Sequence, residues 1–351
     1  MSPSTGDPEL ASDLGLIVVA YHRPEGLARL LDSAAGQAAR ILVVNVEEDP
    51  AVAAVARRRG VIVLGLDSNP GYAAAVNAGA AALSTPLVAF ANDDLELAPG
   101  CLAALAAELE AGADVAVPRL CRPDGGTEAS VSRLLSPAAL AGEWVALPDQ
   151  PPAFLPSRLL AYLPVQKWRR PGSSVPIRAA EAALVATHAD VLSRFPLPEA
   201  YFLYWEEHEW FHRLSRHGRS VLYVPAAVAT HAGWDELSPA KAKLLARNAV
   251  RCLVRTKGRA AAVAGFPLVL AWWARLWALD ALRAALRPSP VARSRLASRS
   301  AGVGAALFAW REIAEPASDC APDRPVTLRQ SSALCHGVRQ VAGAPGPRPD
   351  L

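Results

Sequence analysis

The chain has 351 residues, enough for one large domain or two, and its 52% hydrophobic and 20% charged content is typical of a globular protein. A net charge of +3 gives no reason to expect nucleic acid as a partner. The five cysteines are odd in number, scattered and without metal-site spacing, so we expect reduced thiols in a cytosolic protein. Residues 1–13 lack a basic region and an apolar core, so we expect a flexible terminus and not a secretory signal.

From residue 14 onward, short apolar runs alternate with segments of helical pattern. The predicted strands are 14–20, 41–46, 61–66, 87–91, 114–118, 182–187, 221–225 and 228–231, and the predicted helices are 24–37, 50–59, 72–83, 99–110 and 210–217. This alternation predicts an α/β fold, a Rossmann-like and mostly parallel sheet covered by helices on both faces. Such sheets bind ligands at the carboxyl ends of their strands.

Polar segments follow two of these strands, residues 21–23 after the first and 92–94 after the fourth. Paired acids such as Asp93 and Asp94 at a strand end can hold a divalent cation through their oxygens. An ordinary turn explains the same pair, because Asn and Asp favour turns. On their own, Asp93 and Asp94 are better explained by a turn than by a cation site.

Asn69, Gly71 and Asn77 surround the start of the third predicted helix. Glycine there lets the backbone approach a ligand, and a helix N-terminus favours phosphate. Helix capping is the alternative, since Asn and Gly also serve it. His231 and Arg247 each have two interpretations. His231 is either a metal ligand or a structural histidine, and Arg247 either clamps a diphosphate or is a solvated charge.

The most informative stretch is 201–210, where an aromatic run is followed by Glu206, Glu207 and Glu209. Aromatic walls raise the pKa of a carboxylate, which suits a general base. Acids at a helix start are also favoured by the helix dipole, so solvated acids in a first helical turn remain an equal interpretation.

The chain changes in texture from residue 147 onward. Proline-rich residues 147–178 predict a partly ordered lid or acceptor loop, and 238–256 predict a basic helix. Within 260–287 the uninterrupted apolar part has about 15 residues, fewer than the roughly 20 that span a bilayer. A helix lying on an anionic membrane and a helix packed on protein both stay open. Composition predicts a disordered tail over 316–351.

Taken in order, these motifs resemble the family 2 glycosyltransferases of the glycosyltransferase-A fold, and more narrowly their rhamnosyltransferase and galactofuranosyltransferase-like branch. The matching elements are Val18–Pro24, Val43–Asn45, Asn69–Gly71, Asn77–Gly79, Asn92–Asp94, Arg119–Gly125, Tyr204–Trp210, Val224–Pro225, His231 and Arg247–Asn248. The resemblance implies a catalytic domain over 14–235 and a helical C-terminal extension over 236–315.

The resemblance also implies a role for individual residues. A nucleotide-diphosphate sugar would be bound by Ala20, Tyr21, Arg23, Asn45, Asn69, Gly71, Asn77, Asn92 and Asp93; Mg²⁺ or Mn²⁺ by Asp94 and His231; and the acceptor by Trp205, Glu209 and Trp234. Glu207 would be the general base, with Glu206 as the alternate. A single carboxylate used as a base, with no covalent intermediate, implies inversion at the anomeric carbon. Asp94 and Glu207 must then face one bound sugar.

Four positions depart from the family pattern. Asn45 and Asn92 stand where Asp is usual, and Glu181 stands where a small Gly is expected. The acidic motif is Glu-Glu-His-Glu in place of Glu-Asp-x-Asp. The longer glutamate side chain leaves open which of the three is the base.

These observations predict a cytoplasmic enzyme that extends a cell-envelope or surface polysaccharide on a glycan or lipid-linked acceptor. Among donors, dTDP-rhamnose ranks before UDP-galactofuranose and GDP-mannose. Attachment to the inner face of the cytoplasmic membrane through 236–315, and homo-oligomers, stay open. A non-catalytic sugar-nucleotide-binding or scaffold protein is the alternative, favoured by Asn45, Asn92 and Glu207. A nucleotidyltransferase ranks lower, because residues 20–26 offer phosphate only Arg23.

Overall fold

The computed structural model describes residues 11–145, 172–232, 237–314 and 340–341. Most of the predicted lid, 147–178, lies outside these ranges, and so does Trp234. Most of the tail, 316–351, lies outside them as well, although a two-residue strand is described within it.

Twelve strands are found in the described part of the chain. In order, β1 to β12 are Ala11–Ala20, Ala38–Val46, Ile62–Leu66, Leu87–Asn92, Leu95–Leu97, Val115–Cys121, Val131–Ser132, Val175–Pro176, Ala179–Ala180, Leu184–His188, Val221–His231 and Gln340–Val341. Helices α1 to α11 are Pro24–Ala34, Pro50–Arg58, Tyr72–Ala82, Cys101–Glu110, Pro137–Val145, Ala189–Arg194, Glu206–Arg216, Pro239–Lys257, Arg259–Leu286, Pro290–Phe308 and Trp310–Ala314.

The main sheet has the strand order β12-β3-β2-β1-β4-β10-β6-β11-β5. Strands β1 to β4 are mutually parallel, whereas β10 runs antiparallel between β4 and β6. Because β11 is parallel to β6, the carboxyl ends of β1, β4 and β11 meet at one edge. The predicted α/β fold with a helical C-terminal extension is confirmed.

Sequence pattern and structure differ at β11. The two predicted strands, 221–225 and 228–231, form one strand with a shift of register between Val224 and Val228. Pro225 lies at this irregularity, where its missing N–H costs no ladder hydrogen bond.

Alternating residues of β1 supply both faces of the core. Leu16 and Val18 pack with Leu30 of α1, and Ile17 packs on the opposite face with Val76 of α3. Burial on both faces explains why the sequence of β1 is continuously apolar. The sheet is thereby rigid where its polar strand ends emerge.

The C-terminal helices α8 to α11 form a third core around Trp273, which packs against Gly302. The basic helix α8 was predicted to turn its charge toward solvent or an anionic surface. Three of its arginines instead pair within the protein: Arg247 and Arg251 with Glu312, and Arg255 with Glu209. The sequence could not show this, because both acceptors are distant along the chain.

Helix α9 spans 28 residues and, by length and composition alone, is the one helix in the described ranges that could cross a membrane. The uninterrupted apolar run counted from the sequence is shorter than this helix, so contact of α9 with a membrane stays a prediction. Arg275 and Asp280 interrupt the apolar run but not the helix.

Candidate active site

The carboxylates of Asp93 and Asp94 lie just beyond β4, beside the end of β1. The backbone N–H of Tyr21 donates to Asp93 Oδ2 over 3.0 Å, and Arg23 Nη1 donates to Asp94 Oδ2 over 2.7 Å. Because parallel neighbours β1 and β4 end together, two segments some 70 residues apart are held in contact. Residues 21–23 and the acidic pair, which follow separate strands in the sequence, are therefore in contact.

His231, the last residue of β11, joins this cluster from the other half of the sheet. Its Nε2 lies 3.3 Å from Asp94 Oδ1, and its Nδ1 lies 3.3 Å from the carboxylate of Glu128. The carboxylate of Glu128 is buried and was not anticipated from the sequence. A single glutamate in the loop after β6 has no spacing that would mark it.

Charge compensation distinguishes the two aspartates. Burial raises the pKa of Asp93 to about 6. Burial also pushes the pKa of Asp94 upward, but the close contact with His231 and the charges of His231 and Arg23 outweigh it, leaving that pKa below its ordinary value. Burial opposes the charged form of His231, yet Asp94 and Glu128 raise its pKa to about 10. Asp94 is therefore ionised at neutral pH.

A divalent cation fits this cluster in part. Asp94 Oδ1 is buried with no hydrogen-bond partner of its own and faces the imidazole of His231. Carboxylate oxygen and imidazole nitrogen are both accepted by Mn²⁺, and His231 would have to give up its proton to serve as a ligand. No group of three or more candidate ligands occurs in the described ranges. Two protein ligands suit a cation whose other ligands are phosphate oxygens and water.

Glu206 and Glu207 open helix α7 after two residues in the left-handed region, Tyr204 at φ 71° and Trp205 at φ 75°. Non-glycine residues seldom adopt this conformation, and consecutive examples are commonest at functional sites. Glu206 is buried with no hydrogen-bond partner at Oε2, whereas Glu207 is half-buried. Burial raises the pKa of Glu207 to about 7, and burial together with the charge of Glu207 raises the pKa of Glu206 well above its ordinary value.

Both acidic segments act on one side chain, Tyr72 at the start of α3. Burial raises the pKa of this phenol, and the charges of four carboxylates raise it further. The four are Glu206, Glu207, Asp94 and Asp93. Residues more than 100 positions apart therefore approach the same region of the sheet edge.

Helix α8 contacts one side of the turn formed by residues 203–205, which precedes Glu206 and Glu207. Asn248 Nδ2 donates to the carbonyl oxygens of Leu203, over 2.9 Å, and Tyr204, over 3.4 Å. Trp205 Nε1 donates to the carbonyl oxygen of Leu245 over 2.9 Å. The C-terminal extension thus contributes directly to the backbone that presents Glu206 and Glu207.

Two assignments implied by the resemblance need correction here. Glu209 accepts from Arg255 over 2.6 and 3.0 Å and from the Tyr201 hydroxyl over 2.7 Å, so it anchors α7 to α8 and does not face an acceptor. Arg247 pairs with Glu312 and does not clamp a diphosphate. Trp205 stacks on His208, whose pKa burial lowers to about 4, so this imidazole is neutral.

The glycine segment before α3 holds the same turn from the other side. Gly71 has φ 95° and lies so near the Phe202 backbone that a Cβ would fall within 3.0 Å of it. Asn69 Oδ1 accepts from Gly71 N over 3.0 Å. Asn77 is buried and bonds Leu197 at both ends of its amide. These contacts make Asn69, Gly71 and Asn77 supports of the loop before Glu206, which differs from the donor-lining role that the resemblance implies.

The remaining donor-side residues lie at the ends of β1, β2 and β4. Ala20 is fully buried, so only its backbone could meet a ligand, whereas Tyr21 is 44% exposed. Asn45 is buried, donates to the Asp49 carbonyl over 3.0 Å and leaves Oδ1 without a partner. Asn92 is half-buried at the end of β4.

Comparison with known protein families finds a match in the N-terminal part of the chain. Residues 16–151, less than half of the chain, match the glycosyl transferase family 2 model. Uncharacterized glycosyltransferases Rv0539 and MT0564 of Mycobacterium tuberculosis and Mb0553 of Mycobacterium bovis are each 41% identical over 87 residues, 25% of this chain. The chain spans 39% of the length of these relatives. The resemblance to family 2 is confirmed for residues 16–151, and the branch stays a prediction.

Two solved structures are similar in outline. One is the mannosyltransferase PcManGT from Pyrobaculum calidifontis in complex with GDP-Man and Mn²⁺, with a TM-score of 0.48 and 14% identity over 86% of this chain and 88% of that one. The other is a mycobacterial protein, with a TM-score of 0.47 and 17% identity over 70% of this chain and 74% of that one. Neither likeness is close enough to support a function.

Proposed function

We propose that this protein is an inverting glycosyltransferase that transfers a sugar from a nucleotide-diphosphate donor to a glycan or lipid-linked acceptor. One arrangement carries the proposal: the aspartate pair after β4 and the glutamate pair that opens α7 lie near the same side chain, Tyr72, whose backbone N–H donates to the Phe202 carbonyl over 3.1 Å. One pair contains an ionised Asp94 beside cationic groups, and the other contains Glu207 with a pKa near neutrality. The family 2 match over residues 16–151 supports the same reaction class.

Glu207 is suited to accept the proton of the attacking hydroxyl. Its side chain is less buried than that of Glu206, and a pKa of about 7 places it near the value at which a general base works best at neutral pH. Burial and the charge of Glu207 raise the pKa of Glu206 well above its ordinary value, so Glu206 holds its proton more tightly. We therefore rank Glu207 before Glu206 as the base.

Asp94 and His231 would hold the divalent cation, and Asp93 would hold the backbone of Tyr21 against the donor. The cation, when bound, supplies neutralising charge to the diphosphate leaving group. Exposed Tyr21 offers an aromatic face on which a nucleotide base could stack. We keep dTDP-rhamnose as the favoured donor and surface polysaccharide as the product.

A thermal-shift panel of nucleotide diphosphates, with and without Mn²⁺, tests this assignment. A true donor nucleotide stabilises the folded protein, by about 2.7 kcal/mol at a hundred times its Kd. Asp94→Ala should lose the Mn²⁺-dependent part of the shift. Asp32→Ala, which alters an exposed aspartate on α1, is the matched control. A full Mn²⁺-dependent shift in Asp94→Ala would show that the cation binds elsewhere.

A non-catalytic sugar-nucleotide-binding protein is the second candidate. The asparagines at 45 and 92, where the family usually has aspartate, favour it. Release of nucleotide diphosphate from a donor sugar by the purified chain separates the two functions. Nucleotide binding without any turnover across the donor panel would favour the binding protein.

A further inference from the structure

The turn between α9 and α10 presents an apolar surface. Leu279, Leu282, Leu286 and Val291, together called the α9–α10 tip, are between 40% and 72% exposed. Leu279, Leu282 and Leu286 are spaced three and four residues apart, so they share one face of α9. Soluble surfaces seldom expose so many large apolar side chains together, and such patches mark interaction sites.

Positive charge surrounds this tip. Arg283, Arg287, Arg293 and Arg295 are exposed around it, and residues 281–297 contain no acid. Asp280, the nearest acid, is buried and accepts from Arg283 and Arg299 over 3.0 Å each. An approaching anionic surface would therefore meet arginines and apolar side chains without an exposed carboxylate.

Three arginines of the neighbouring helix α8 are engaged within the protein. Arg247 and Arg251 pair with Glu312, and Arg255 pairs with Glu209, so these arginines do not mark a docking face. A second copy of this chain would fit poorly, because a two-fold contact through the tip would bring like charges together. A membrane-spanning α9 would carry Asp280 into lipid and away from Arg299.

We propose that the α9–α10 tip docks the protein on the surface of an anionic lipid bilayer. The apolar side chains enter the headgroup boundary and the arginines pair with lipid phosphates, as in other interfacial helices. The proposal does not depend on the proposed activity.

Co-sedimentation of the full chain with vesicles of phosphatidylcholine, with and without phosphatidylglycerol, tests the tip. We expect binding only to the anionic vesicles, weakened by added salt. The triple variant Arg287→Gln, Arg293→Gln, Arg295→Gln should bind about a hundredfold more weakly. The matched control is Arg40→Gln, Arg57→Gln, Arg58→Gln, which removes three exposed arginines from the other half of the molecule and should bind normally. Thermal unfolding verifies that each variant is folded.

Leu282→Ser with Leu286→Ser should weaken vesicle binding without changing the charge. Equal binding by the two arginine triples would overturn the proposal. So would a dimer, seen by ultracentrifugation, that the double serine variant abolishes, because the tip would then be a subunit interface. Resistance of the bound protein to carbonate extraction would overturn surface docking in favour of insertion.

Discussion

Asp94 and the two glutamates that open α7 carry the same functional group in different electrostatic settings. Asp94 lies between Arg23 and His231, and the pKa of its carboxyl is below the ordinary value. Glu206 and Glu207 have no ion pair among the described contacts, and burial raises the pKa of both. The comparison shows that the surroundings of a carboxylate, and not whether it belongs to Asp or Glu, decide whether it stays ionised or takes up a proton.

The two segments are also held by different parts of the molecule. Asp93 and Asp94 are fixed by neighbouring strands of the sheet, through Tyr21 N and Arg23. The glutamates are fixed by α8, through Asn248 and Trp205, and by Gly71. A substitution that loosens the C-terminal extension should therefore impair proton uptake by the glutamates more than it impairs the cation site at Asp94 and His231.

The largest expected effect is on turnover, and it distinguishes the glutamates that open α7 from the Asp94 cluster. Glu207→Gln keeps the shape of the side chain and removes its basicity, so turnover should fall by about a hundredfold to ten-thousandfold. Nucleotide binding in the thermal-shift assay should be unchanged, because Glu207 does not contact the Asp94 cluster. Glu206→Gln is the matched variant and should retain more activity. The reverse order of the two losses would make Glu206 the base.

A second test addresses the anchor between α7 and α8. Arg255→Met leaves Glu209 buried without its cation, which should lower the free energy of unfolding by about 3–5 kcal/mol. Arg247→Met is the control: Arg247 is half-exposed, and Arg251 still neutralises Glu312, so we expect less than about 1 kcal/mol. Urea unfolding of both variants measures the difference. Similar losses in the two would contradict the anchoring role of Glu209.

The pKa of Glu207 predicts a pH-dependent stability. A folded-state pKa of about 7, above the ordinary 4.5, means that the folded protein binds this proton more tightly than the unfolded chain does. Stability should therefore fall as pH rises from 4.5 to 7, by up to about 3 kcal/mol from this group. Glu207→Gln lacks that part of the decline, so its advantage over the natural protein should grow across this window and then level off. A constant difference from pH 4.5 to 8 would contradict a raised pKa.

Local patterns predicted the elements but not the contacts that give residues their roles. Near-continuous apolar runs identified β1 and β4, and the acids after β4 follow from parallel neighbours ending together. The antiparallel direction of β10 was not predictable, because a strand buried on both faces reads alike in either direction. Glu128, and the pairing of Glu209 with Arg255, depend on contacts between distant segments, which residue spacing does not encode.

The smallest expected effect tests whether the C-terminal extension positions the base. Asn248→Ala removes the donor to the carbonyls of Leu203 and Tyr204, which should cost about 1–3 kcal/mol of stability. If the turn then relaxes, kcat should fall while KM for the donor stays the same, and the pH dependence of kcat should shift as the burial of Glu207 changes. Arg247→Ala, one position away, is the control. It should leave kcat, the KM for the donor and the pH dependence of kcat unchanged. A loss of stability with an unaltered kcat and pH profile would restrict Asn248 to packing, because a residue that only holds α8 in place has no means of changing proton uptake at Glu207.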